Sequence, residues 1–232
     1  MSITENYQKL RNEIPDEVTI VLAGKKKSAS GINEAIDAGA TVIGENYVQE
    51  AEDIIKNLGD KAKKIRWHMI GHLQKNKINK ALAIFDVIET VGSLKKAKDI
   101  DKRVEKAGKK KITVFIEINI GNEDSKSGLM PEEHEPFEEY IEQFIKKIAE
   151  LKHLKVEGLM TMGPRFGDPE NSRPYFKRTK QIFDNIRAKN IQNVDMKYLS
   201  MGMSNSYKVA IEEGSNMIRP GTIIFGKRST NS

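Results

Sequence analysis

The 232-residue sequence predicts an α/β protein folded as a single (β/α)8 TIM barrel, on three observations. Eight short apolar runs alternate with amphipathic helical stretches along the whole chain. Such alternation implies parallel strands joined by helical crossovers, and eight units fit a closed barrel better than an open sheet. The first run ends in Ala23-Gly24-Lys25, without the glycine fingerprint that an open dinucleotide-binding sheet carries there.

Residues 1–14 (MSITENYQKLRNEI) lack an apolar core and read as an amphipathic helix, not a signal peptide. The first strand is 18–23 (VTIVLA), followed by a helix over 32–38. The second is 41–44 (TVIG), with a helix over 47–58. The third is 65–70 (IRWHMI), with a helix over 75–83. The fourth, 87–90 (VIET), leads into a lysine-rich helix over 94–107. The fifth is 113–118 (TVFIEI); a polar loop over 121–136 then precedes a long helix over 136–151. The sixth is 156–160 (VEGLM), with a helix over 173–189. The seventh and eighth, 198–201 and 217–219, flank a helix over 205–213. No linker or low-complexity tract interrupts the pattern, so 1–232 is expected to be one barrel domain with an N-terminal helix.

Composition removes several functions. Without cysteine there are no disulfides, thiolate metal sites or cysteine nucleophile. No apolar run approaches the roughly 18 residues of a membrane span, so a soluble cytoplasmic protein with no membrane partner is expected. The net charge of +6 invites a nucleic-acid reading. Yet the lysines fall in short clusters (25–27, 61–64, 109–111) with acids between them. Eight Phe, six Tyr and one Trp make no aromatic stripe for stacking on bases. A solvated lysine-rich surface is expected, with no nucleic-acid partner.

Barrels place function where strands end and loops begin. In the stretch 199–226, Ser200, Gly202 and Ser204 leave backbone amides open, and the next helix points its positive end at the same spot. Gly221 and Thr222 add a second bend beside the cation of Arg219. Such a cup suits a phosphate, and the seventh and eighth strand ends are where barrels commonly bind one. Lys25 ends the first strand and would meet the cup around the ring. Partial desolvation and nearby cations would free its amine for a Schiff base with a phosphate-bearing aldehyde, a description that pyridoxal 5′-phosphate (PLP) fits. Spacing alone leaves open that Lys25 is one of three consecutive solvated lysines, or that the cup takes another phosphorylated metabolite without a covalent bond. His68 reads as a packed strand histidine. With His72 it spans a strand and a glycine turn, not a helix face, so no metal site is expected. Glu45 and Glu89 read as members of structural pairs at the mouth, Ser127 and Gly128 as a turn or helix start, and Asn46 as a cofactor contact or a loop anchor.

In order along the chain, GKKK, GENYVQE, WHMIGHLQKNK, VIETVGS, SKSGL, GLMTMG and LSMGMS…GSNMIRPGTIIFG resemble the pyridoxal-phosphate homeostasis protein family, relatives of the N-terminal barrel of alanine racemase. The match covers about 18 to 226. It implies PLP as cofactor, held as an aldimine on Lys25, with Asn46 and His68 near it. It implies Ser204, Gly221 and Thr222 on the phosphate and Arg219 facing the pyridine nitrogen. An arginine there keeps that nitrogen unprotonated and the ring a poor electron sink. The implied function is intracellular PLP homeostasis without turnover and with no catalytic residue. Implied partners are PLP-dependent apo-enzymes, with the chain a monomer or weak homodimer. The alternative is a small PLP-dependent amino-acid racemase. Racemisation needs a proton donor on each face of the substrate; in the racemase relatives the second is a tyrosine from a further domain. The sequence ends about six residues after Gly226, so that domain is expected to be absent, and Tyr47 and Tyr207 are the tyrosines near a strand end. Three departures stand out. Lys25 sits in Gly-Lys-Lys-Lys-Ser where Ser precedes and Thr-Lys-Pro follows in the family; in a strand Lys26 would face the opposite side. His72 stands where proline is common, and Asn205 and Ser206 replace acids.

Overall fold

The structure, a computed structural model, describes residues 1–121, 128–130, 136–163 and 167–226. Each apolar run forms a strand, and all pair in parallel. The first run is divided at Val21 into β1 (Thr19–Ile20) and β2 (Leu22–Ala23). The others are β3 (Val42–Glu45), β4 (Arg66–Met69), β5 (Val87–Val91), β6 (Ile112–Ile118), β7 (Leu154–Thr161), β8 (Val194–Met203) and β9 (Met217–Arg219). Neighbours run β1-β9-β8-β7-β6-β5-β4-β3-β2. β1 pairs with β9 and β2 with β3. The Val21 and Ala23 amides donate to Ile218 and Pro220 carbonyls, and the Gly24 amide donates to Gly44, each at 2.9 Å. The first strand is thus bonded along both edges and closes the barrel, which removes the unpaired edges an open sheet would carry.

The helices are α1 (Ile3–Glu13), α2 (Ala29–Asp37), α3 (Val48–Leu58), α4 (Ile78–Ile84), α5 (Leu94–Lys106), α6 (Phe137–Ala149), α7 (Arg173–Ala188), α8 (Tyr207–Glu212) and α9 (Thr222–Phe225). The helix expected over 75–83 begins instead as a 3₁₀ turn, Lys75–Lys77, before α4. β7 and β8 extend past the expected strands at both ends. Their outer residues are held by ladder bonds rather than by apolar pattern. α9 stands where only a bend was expected. α1 starts at a capping box between Ser2 and Glu5 and lies across the closing seam. Asn6 Nδ2 donates to the Ile224 carbonyl at 2.9 Å, and Tyr207 Oη donates to Glu13 Oε2 at 3.0 Å.

Side-chain alternation divides the core in two. Outward residues such as Ile43, Trp67, Ile88, Ile116 and Leu199 pack under the helices. Inward, Val21, Val42, Val87, Phe115, Met160 and Met217 form a small plug. Two residues further along three of these strands the inward positions turn polar: Val87 gives way to Glu89, Phe115 to Glu117 and Met217 to Arg219, all buried. That step sets a charged layer on the apolar plug, at the end where strands run into loops. Most of the 121–136 loop, with Ser127, lies outside the described residues. Leu129 returns to the end of β6, its amide donating to the Glu117 carbonyl at 2.7 Å. Among the described residues no helix is long and apolar enough to cross a membrane, and no cluster of three metal-ligating side chains occurs.

Candidate functional site

The charged layer is one connected network. Arg219 ends β9 fully enclosed, donating through NH1 to Ser200 Oγ at 2.6 Å and through NH2 to the Thr161 carbonyl at 2.7 Å. Ser200 in turn donates to Glu89 Oε2 at 2.7 Å, and Glu89 Oε1 lies 2.6 Å from His68 Nδ1. Burial pushes the Glu89 carboxyl up, but the His68 hydrogen bond and charge, Arg219 and the Ser200 hydroxyl outweigh it and hold the group below the usual carboxylate range. His68 Nε2 is buried with no partner. The ring meets Phe115 edge-on, centroids 6.2 Å apart. Glu89 is therefore paired as expected. Glu117, also inward and buried, has its carboxyl raised by burial against the pull of Lys96 and Arg219. Lys96, in the first turn of α5, is half-buried with its amine 3.3 Å from the Thr90 carbonyl and 3.4 Å from His72 Nδ1.

Next to Arg219 is the cup. Ser204 Oγ accepts from the Gly221 amide at 2.9 Å and from the Ile223 amide at 3.3 Å. The hydroxyl thus gathers the amides that open α9, as an anion's oxygen would. Thr222, between them, is exposed. The turn from β8 into α8 needs Gly202: its φ is +92°, and a Cβ there would come 2.6 Å from Ala210 Cβ.

Lys25 follows β2 in a turn, not in the strand itself, so strand alternation does not orient Lys26. Lys26 has φ +59°, is exposed, and donates its amide to Glu50 Oε2 at 2.9 Å. Lys25 is half-buried, its amine 5.1 Å above the Tyr47 ring. The strand that carries it abuts the cup: a Cβ on Gly221 would come 3.3 Å from the Ala23 carbonyl. Asn46 is half-buried at the end of β3. Its backbone is pinned by Gly71, where a Cβ would come 2.4 Å from the Asn46 carbonyl oxygen. Glu45 departs from expectation: it is fully buried, and neither carboxylate oxygen has a hydrogen-bond partner.

The barrel thus brings His68 and Arg219 into one network and joins Ser204 to Gly221, with Asn46 and Lys25 on adjoining strand ends. Sequence reasoning missed the bridging hydroxyl of Ser200, the Thr161 carbonyl and Glu117. Strand parity held the signal for two of them: Ser200 lies two residues beyond inward-packed Tyr198 and Glu117 two beyond Phe115, whereas Thr161 contributes its backbone carbonyl.

The chain matches the family described as alanine racemase, N-terminal domain, over residues 1–229. The pyridoxal phosphate homeostasis protein of Aquifex aeolicus is 38% identical over 208 residues, 89% of this chain and 85% of that one. PipY of Synechococcus elongatus, solved with PLP bound, superposes with a TM-score of 0.85 at 27% identity, covering 97% of this chain and 100% of PipY. The alanine racemase of Clostridium difficile shares the fold with a TM-score of 0.79 at 16% identity, and this chain covers 58% of it.

Proposed function

Because the chain belongs to the pyridoxal phosphate homeostasis protein family, built on the alanine racemase N-terminal-domain barrel, we propose that it holds PLP at this mouth through a Schiff base to Lys25 and serves PLP homeostasis without turnover. The observation that carries the reading is Arg219: a guanidinium fixed by Ser200 and the Thr161 carbonyl, directly before a cup of amides at Ser204 and Gly221. The guanidinium, balanced inside the layer by Glu89 and Glu117, and the amide cup next to it together suit an anionic ligand that carries a ring.

Each side chain then has a task. Ser204, Gly221 and Thr222 hold the phosphate. Asn46, fixed by Gly71, and His68, whose Nε2 is unpartnered, line the space between cup and lysine. Bound PLP supplies an aldehyde and an electron-withdrawing ring. Facing the ring nitrogen, Arg219 would leave it unprotonated, since a guanidinium keeps its own proton and its charge disfavours a second cation beside it, and so would restrain carbanion chemistry. Tyr207 is turned to Glu13, and Tyr47 stacks at Lys25 rather than across from it. Neither supplies an opposed second acid, which weighs against the racemase reading. The recipients of the cofactor are PLP-dependent apo-enzymes, and the protein works in the cytoplasm as a monomer or weak dimer.

Adding PLP to the purified protein should give a visible absorption band that borohydride fixes on the Lys25 peptide. Lys25→Ala should lose it; an unchanged adduct in that variant rejects the assignment. Appreciable turnover of single-enantiomer alanine or other amino acids would establish the racemase instead.

A further inference from the structure

Glu45 ends β3 in the family's GEN motif, one residue before Asn46, but its side chain lies outside the mouth. Ile43 packs among the residues under the helices, whereas Val42 belongs to the inner plug, so Glu45 shares the outward face with Ile43. Its carboxyl lies against Gly24, immediately before Lys25. A Cβ on residue 24 would fall 2.1 Å from Glu45 Oε1, beside Ile32 of α2 at 3.1 Å. The turn is held by the Lys27 amide donating to the Gly24 carbonyl at 2.8 Å and the Lys26 amide donating to Glu50 Oε2.

An enclosed carboxylate without a donor is unfavourable in its charged form. Burial, then the like charge of Glu50 on α3, push the Glu45 carboxyl up to about 8, the Asn46 amide working the other way without completing a hydrogen bond. α2 presents the apolar Ile32, and the turn presents Lys25, Lys26 and Lys27, whose amines form no bond to it. At neutral pH the group is thus mainly the uncharged acid and fills the space over Gly24. Once ionised it must find water or amides, and the turn at 24–27 is the nearest structure that can give way.

We propose that Glu45 is a positioning residue for Lys25: its carboxyl sets the backbone course at Gly24, and losing its proton displaces the turn that presents the amine to the mouth. The inference rests on the PLP reading of the site. PLP affinity, read from the visible band between pH 6 and 10, should turn down in the wild type above about pH 8, to about tenfold weaker by pH 9, as one pH unit beyond a titration midpoint dictates. Glu45→Gln keeps the shape and cannot ionise, so its affinity should not turn down. A band with the same pH dependence in both proteins overturns this inference alone. No band in the wild type at any pH overturns the PLP reading and this inference with it. Should Glu45→Gln fold poorly, Gly24→Ala serves: it should weaken PLP binding, and adding Glu45→Ala should recover it severalfold. Additive losses would show no coupling between the two residues and would reject the proposal.

Discussion

Ser200 satisfies two buried charges with one hydroxyl, accepting from Arg219 and donating to Glu89. Ser200→Ala leaves each charge one partner short, and unmade bonds of buried charged groups cost about 1–3 kcal/mol; urea denaturation at neutral pH should register a loss of that size. Glu89 adds a pH dependence. Its carboxyl is held below the ordinary range by His68, Arg219 and Ser200 acting against burial. It therefore contributes stability that is present above the unfolded carboxylate pKa and is lost as pH falls through the folded value. The melting temperature of the wild type should drop through that acid window, and Glu89→Gln should drop less. Glu45 has the opposite sign, raised to about 8: its contribution is full below the usual carboxylate pKa and is lost as pH rises toward 8. The apoprotein should lose melting temperature relative to Glu45→Gln across that range.

Strand ends meet closely where the site is built, and their glycines show how closely. Gly71 joins β4 to the next loop with its Cα against the Asn46 backbone, so Gly71→Ala drives a methyl into main chain that has nowhere to move. Overpacking of this kind costs about 1–3 kcal/mol or more, and by shifting Asn46 it should also weaken PLP binding. Gly108, closing α5 at φ +66°, has open space around it. Gly108→Ala costs only the left-handed penalty, about 1–2 kcal/mol, and should leave PLP binding unaltered. Denaturation paired with PLP titration separates the two cases. The helices were legible because their apolar spacing is strong; α9 was not, since four residues are too short for a period to show.

The closed sheet makes the first strand depend on the last. Thr19 pairs with Met217, and the Val21 and Ala23 amides bond to Ile218 and Pro220. Such pairing between chain ends costs the most loop entropy and is retained only if the whole barrel forms. The Val21 and Ala23 amides should therefore exchange hydrogen as slowly as those of β6 and β7, through global unfolding. Faster exchange would show that the seam opens on its own. α1 spans that seam through Asn6 and Glu13.

Apolar runs alternating with helical stretches already implied the parallel barrel, and the ordered motifs implied the family, because alternation and turn chemistry are local properties that a sequence states directly. Arg219, Ser204 and Gly221 could be picked out for the same reason, each at a strand end or loop opening, whereas His68 reads as a packed strand histidine and is set near the cofactor only by the family resemblance. Their partners could not be named. That Ser200 bridges Arg219 to Glu89, that Gly71 pins Asn46, and that Glu45 lies unpaired over Gly24 follow from which strand ends become neighbours when the barrel closes. Those contacts join residues far apart in the chain, and only three-dimensional packing fixes their distances and the exclusion of water on which the site's charges depend.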